Sequence, residues 1–349
     1  MLPSNKPQKI ADLALEGGGV KGTALVGAAV ALLDSGYTFS RVAGTSAGAF
    51  VGAFIAAGVP APVMAQLTET MDLKSFADKT FLAKFGIPGE GASILANKGI
   101  YKGKNLRDWV YDVLKEYGVE TFADLKLPLS VDPAHPERCY KFVCITSDIT
   151  RQEMIELPGD YARVYGLDPD KQLVADAVAA SAAIPLGFEP QHIRSAITGQ
   201  VSTLVDGGIT SSFPIDIFDT DNGVTPRWPT FGIRLEGETP ATQIYPSPER
   251  NFVQYILALY NTACHGRDAR IEAEPKVVGR SIFINTSWVN PNDFGISVAV
   301  RKKLYDEGYA AARKFITGFS FPAYLRQQRA LRAASAAATS PGDNGLSVA

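Results

Sequence analysis

The sequence predicts an α/β fold: a parallel-rich central sheet flanked by helices in three layers. Three observations carry the prediction. Ala11-Asp12-Leu13-Ala14-Leu15 is strand-like and runs into Gly17-Gly18-Gly19-Val20-Lys21-Gly22, after which an apolar, helix-like run continues to 35. Arg41-Val42-Ala43 leads in the same way into Gly44-Thr45-Ser46-Ala47-Gly48 and the almost wholly apolar stretch 47–59. Ser202-Thr203-Leu204-Val205 then leads into Asp206-Gly207-Gly208. Strand–helix alternation with short connections gives parallel strands joined by right-handed crossovers.

Taken in order, the pattern predicts strand 11–16, helix 20–35, strand 41–45 and helix 46–57. Leu106, Trp109, Val110, Val113 and Leu114 share one face of a helix over 105–117, a spacing that marks core packing. Strands are expected at 140–145 and 152–157, as a hairpin around 148–151, with a helix over 170–180. Further strands are expected at 230–235 and 281–284, and helices at 252–264 and 298–315. From about 329 the chain turns to Ala, Ser, Gly and polar residues, which reads as a disordered tail.

The serine segment fits G-x-S-x-G, the strand-to-helix elbow that lifts a nucleophilic hydroxyl clear of the backbone. Gly44 and Gly48 let that turn close and let a substrate approach. A glycine-rich turn before a helix offers unused backbone N–H groups, which hold a developing oxyanion. The same run lacks the G-x-x-x-x-G-K-[ST] spacing of a P-loop. Gly17, Gly19 and Gly22 do fit G-x-G-x-x-G, but Asp34-Ser35-Gly36 comes too early for the acidic residue that a dinucleotide site places about 20 residues on. The combination indicates an acyl hydrolase with Ser46 as nucleophile.

With Asp206-Gly207-Gly208 added, the chain resembles the patatin-like phospholipase family. That resemblance implies a Ser–Asp dyad without histidine: Ser46 as nucleophile, Asp206 as general base, and Gly17, Gly18, Gly19 and Gly22 as the oxyanion loop. Ala180-Ser181-Ala182-Ala183-Ile184-Pro185 resembles a segment that the family places between serine and aspartate. Glu16 stands where many members carry aspartate or a smaller residue. The likeness is good over about 10–235 and continues to about 320. It implies an extension at 1–9, a catalytic domain at 10–325 and a disordered tail at 326–349. The expected substrate is a phospholipid or another acyl-ester lipid. A general carboxylesterase with the same dyad, or a catalytically silent lipid-binding module, are the alternatives.

Three histidines test the dyad. The order Ser46, Asp206, His265 would suit an α/β-hydrolase triad, yet His265 falls in or beside a helical pattern rather than in a loop at a strand end. His135 lies in a proline-flanked loop and His192 in Gln191-His192-Ile193; both read as ordinary surface histidines. A free aspartate titrates near 3.9 and is a poor base at neutral pH, so the dyad requires burial to raise Asp206.

Composition narrows the partners. A net charge of −2 over 349 residues indicates no attraction to nucleic acid. Three cysteines show neither a disulfide framework nor zinc spacing. No cofactor and no metal are expected, and oligomeric state is not legible. The stretch 47–59 is too short to span a bilayer, and the first residues do not make a secretory signal. The expected location is cytoplasmic, with peripheral membrane contact. Residues 73–104, rich in Phe, Ile, Lys and Gly, are the candidate lid or substrate wall.

Overall fold

The computed structural model describes residues 9–71, 75, 99–220, 225–236, 255–256, 258–264, 266, 274–291 and 293–339. The candidate lid at 73–104 therefore lies outside the described residues, except Ser75 and 99–104, and so does His265.

Among the described residues eight strands form the main sheet. β1 (Lys9–Leu15), β2 (Tyr37–Thr45), β4 (Phe142–Asp148), β9 (Thr230–Glu236) and β10 (Ser281–Asn285) run parallel to one another. β5 (Glu153–Leu157) and β8 (Val201–Asp206) lie antiparallel to β4, and β7 (Gln191–Arg194) is antiparallel to β8. The order is β10-β9-β1-β2-β4-β8-β7, with β5 also on β4. β3 (Gly99–Tyr101) and β6 (Leu186–Phe188) make a separate parallel pair.

Alternation along the strands sorts the core into two faces. Leu13 and Leu15, Val42, Phe142 and Cys144 belong to the large cluster that helices cover. Their sequence neighbours Ala14, Ala43, Val143 and Ile145 point the other way, against Phe213, Ile215, Ile217 and Phe218. The residues that follow Asp206 thus form the cover of the second face.

The helices follow the crossover logic. α1 (Gly22–Asp34) links β1 to β2 and is buried over Gly22–Leu32, because it is sandwiched rather than amphipathic. α2 (Ala47–Ala56) follows β2, and α3 (Ala61–Thr70) starts after Pro60. α4 (Lys104–Glu116) buries Val110 and Leu114, and its Trp109 stacks on Phe50 of α2 with ring centroids 5.4 Å apart. α5 (Gly159–Arg163) is a single turn. α6 (Val174–Ser181) starts later than expected, because Pro169–Lys171 winds as a 3-10 turn. A helical run at 258–264 comes next, followed by α7 (Pro275–Val278), α8 (Val298–Gly318) and α9 (Phe321–Thr339).

α9 corrects the expected disordered tail over 326–339. Arg, Gln, Leu and Ala dominate that stretch, and these are the strongest helix formers. The remaining tail residues, 340–349, lie outside the described residues. Among the described residues no helix is long and apolar enough to cross a membrane.

Candidate active site

Two strand ends meet on a third strand. Thr45, the last residue of β2, pairs with Ile145 of β4, and Asp206, the last residue of β8, pairs with Thr146 beside it. β2 and β8 therefore approach head-on along β4, and Ser46 and Asp206 are brought together although 160 residues of sequence separate them. This is the outside of the carboxyl ends of the strands, where open α/β sheets place their sites.

Ser46 occupies a sharp turn. Its φ of 52° and ψ of −119° are unusual for a residue with a side chain, and such strain costs about 1–3 kcal/mol and persists only where the surroundings enforce it. The enforcement is visible. A Cβ on Gly44 would stand 2.2 Å from the Gly48 carbonyl oxygen, so β2 and α2 can fold back this tightly only with glycine there. The Ser46 N–H donates to Ser181 Oγ at 2.8 Å, and Ser181 Oγ donates to the Ile145 carbonyl at 2.5 Å. Thr45 Oγ1 donates to the Ser211 carbonyl at 2.9 Å.

The glycine loop lies against this elbow. Gly17 packs on Ser46, its missing Cβ leaving 3.3 Å to the serine Cβ, and Gly22 faces Ala47. Gly18 backs onto Leu235 of β9. Glu16 accepts a hydrogen bond from the Leu235 N–H, which ties the start of the turn to β9. Gly19 has φ 55°, and a Cβ there would stand 2.2 Å from the Pro291 carbonyl oxygen.

Hydrogen bonding divides the glycines of the loop into two kinds. Gly17 donates to Ser212 at 2.9 Å, Val20 to Pro291 at 3.0 Å and Lys21 to Gly18 at 3.2 Å. The Gly22 N–H is taken by the Gly19 and Val20 carbonyls. Among the described residues, the N–H groups of Gly18 and Gly19 donate to nothing. Gly17 and Gly22 thus shape the loop, and Gly18 and Gly19 are the members with N–H groups to offer.

Asp206 is 1 % exposed. Its backbone N–H donates to the Ala183 carbonyl at 2.9 Å, and its carbonyl accepts from Ser147 Oγ at 2.9 Å. Oδ1 accepts the Gly208 N–H at 2.7 Å. Oδ2 is buried and completes no bond of ordinary geometry among the described residues; the hydroxyls of Ser46 and Tyr260 lie against the carboxylate. Burial pushes the carboxyl up to about 6, opposed by the nearby Ser46 hydroxyl, the Gly208 N–H and the Tyr260 hydroxyl, which favour its charged form.

Ser181, Tyr260 and Cys264 were not assigned roles by sequence reasoning. Ser181 does fall in the Ala180–Pro185 segment singled out above; nothing local marks the other two. His135 engages Asp132 and Glu137 in its loop, and His192 sits exposed on β7 beside Thr203.

An apolar cleft of about 90 Å³ opens beside Ser46. Phe50, Leu106, Ile184, Phe188 and Phe294 line it together with Gly19 and Ala47. A larger cavity, about 570 Å³, lies between 218–220, 225–230, 274–280 and α9, and none of its lining residues belongs to the Ser46 site. Among the described residues no cluster of His, Cys, Asp or Glu is grouped to hold a metal ion.

The family model described as patatin-like phospholipase matches residues 13–219. A Bacillus subtilis (strain 168) protein, the uncharacterized protein YqhO, is 34 % identical over 313 residues, which cover 89 % of this chain and 99 % of that protein. The crystal structure of VipD from Legionella pneumophila superposes with a TM-score of 0.51 at 18 % identity, over 91 % of this chain and 72 % of VipD, and shares the fold. ExoU of Pseudomonas aeruginosa, in its complex with SpcU, gives a TM-score of 0.48 at 16 % identity, and the match spans about half of that chain (52 %).

Proposed function

The chain belongs to the patatin-like phospholipase family, and from that premise we propose that it is a serine acyl hydrolase of lipids working through a Ser46–Asp206 dyad. Family membership implies lipid acyl ester hydrolysis; the dyad, the oxyanion loop and the substrate class are our reading. The observation that carries it is the juxtaposition of a strained, buried serine with a buried carboxylate whose affinity for protons is raised.

In this mechanism Ser46 Oγ attacks the ester carbonyl carbon while Asp206 takes the hydroxyl proton. A carboxylate titrating near 6 is a better match for that task at neutral pH than one near 3.9. The carbonyl oxygen becomes an oxyanion, and the N–H groups of Gly18 and Gly19, which have no acceptor among the described residues, receive it. One such donor typically contributes about 3 kcal/mol to the transition state. The positive end of α2, which starts at Ala47, favours the same charge.

Collapse breaks the C–O bond, and Asp206 returns its proton to the leaving alcohol. The acyl group is then on Ser46. Water attacks next, Asp206 accepts its proton, and release of the fatty acid restores both residues. No step calls for a metal or cofactor.

The cleft beside Ser46 supports an apolar acyl chain as the group bound there, since Phe, Leu, Ile, Val and Met dominate its lining. The test is incubation of the wild type and Ser46→Ala with a mixed phospholipid panel, reading released fatty acid. Release by the wild type alone supports the proposal. Release by Ser46→Ala at the wild-type rate removes it.

A further inference from the structure

Three side-chain atoms converge on Gly208. A Cβ there would stand 2.9 Å from Asp206 Oδ1, 3.1 Å from Cys264 Sγ and 3.5 Å from Tyr260 Oη. The absence of a side chain at Gly208 lets the helical run 258–264 come down on the end of β8. The same residue gives its N–H to Oδ1.

From this convergence we infer that Tyr260 is a positioning residue for Asp206, whose phenol orients the carboxylate and sets the pH at which the site becomes active. The inference rests on the Ser46–Asp206 reading and adds a third member to it.

The surroundings of the carboxylate explain why one phenol matters. Against it lie the Ser46 hydroxyl at the start of α2 and Tyr260 and Cys264 on the run 258–264, and its charge also reaches the Cys144 thiol on β4, which donates to the Ala177 carbonyl at 3.2 Å. Burial pushes Cys144 up to about 12, and burial followed by the Asp206 charge holds Tyr260 protonated. Both are therefore neutral at working pH. Among the described residues the Asp206 charge is met by hydrogen-bond donors and not by a cation. With so few donors, removing one changes both the orientation and the proton affinity of the base. A carboxylate held through Oδ1 by the Gly208 N–H, with the phenol lying against it, is restricted in orientation before substrate arrives, which is what proton transfer requires.

The direction is set by the physics. Tyr260 stabilises the ionised carboxylate, so its loss raises the Asp206 pKa further. Tyr260→Phe removes one oxygen and keeps the ring. The experiment measures, from pH 4 to 9, the rate of Ser46 labelling by a fluorophosphonate and kcat/KM for a short soluble ester. The acidic limb of both profiles should move upward by about one pH unit in Tyr260→Phe. A purely structural role would lower the plateau without moving the limb. Tyr260→Gln, which regains a donor, should bring the limb back toward the wild type. If Tyr260→Phe does not fold, Tyr260→Gln against Tyr260→Met reads the same difference.

Limbs that coincide with the wild type, or that move to lower pH, overturn the inference. Asp206→Asn measured alongside separates the two levels. Full labelling of Ser46 in Asp206→Asn sinks the dyad itself. An inert Asp206→Asn with an unmoved Tyr260→Phe limb sinks only the role of Tyr260.

Discussion

The backbone N–H of Ser46 donates to Ser181 Oγ at 2.8 Å, across 135 residues of sequence. The residue with the strained turn is thus anchored to the end of α6, and through Ser181 to the Ile145 carbonyl on β4. The anchor is fully buried, so water cannot replace it. It holds the elbow at the point where β2 and β8 meet.

Ser181→Ala should therefore cost more than a small polar deletion on the surface. It leaves the Ser46 N–H unpaired in the interior, at about 1–3 kcal/mol, and relaxes the turn. We expect a lower Tm together with a fall in kcat of about tenfold or more, since a misplaced nucleophile is costly. Thermal melts and ester turnover on the same preparation check this; unchanged kcat would mean that the elbow holds itself.

The raised Asp206 carboxyl predicts both activity and stability against pH. The proposed base must be ionised, so kcat/KM should fall on the acid side with a midpoint near 6. The folded state keeps the proton up to about pH 6, the unfolded chain only to about 3.9. Between these values the folded state binds more protons, so this group's contribution to stability declines as pH rises. At pH 7 the resulting penalty is about 3 kcal/mol at most. Asp206→Asn should melt above the wild type at pH 7, and the advantage should fade below pH 4. A variant less stable than the wild type at pH 7 would contradict the assignment.

Gly19→Ala tests the oxyanion loop. The new Cβ would meet the Pro291 carbonyl oxygen at 2.2 Å, at a residue with φ 55°. The loop must shift, and the Gly18 and Gly19 N–H groups move with it. kcat should fall by about 10²–10³-fold, with a smaller change in fluorescent-lipid binding. Full turnover would place the oxyanion elsewhere.

Metal removal gives a simple check. The proposed oxyanion donors are backbone N–H groups, so hydrolysis should persist in excess EDTA. Activity restored by added Ca²⁺ alone would show an ion in the site.

Much of this was legible in the sequence, and the boundary has a physical origin. The elbow and the glycine loop are local conformations that glycine permits and other residues resist, so Gly44-Thr45-Ser46-Ala47-Gly48 and Gly17–Gly22 announce themselves. Strands β1, β2, β4 and β9 are legible as short apolar runs with clear turn signals at their ends. β6 and β7 were missed because Pro185 and Pro190 break up their pattern and each is no more than four residues. α9 was missed because an Ala-rich run resembles a low-complexity tail by composition, while its helix propensity is high. Ser181 and Tyr260 act across long sequence separations, which no window of neighbouring residues contains. The division of labour within the loop was also hidden. Whether a glycine N–H is free depends on Ser212 and Pro291, far away in the chain.

The central claim is that Asp206 itself takes the proton from Ser46. It is tested most directly by turnover of one short soluble ester at pH 7.5 in five proteins: wild type, Asp206→Asn, His135→Ala, His192→Ala and His265→Ala. Asp206→Asn should lose about 10²–10⁴-fold in kcat while remaining folded, and each histidine variant should keep most of its turnover. A folded histidine variant that loses activity as far as Asp206→Asn, or an Asp206→Asn that keeps it, would contradict the dyad.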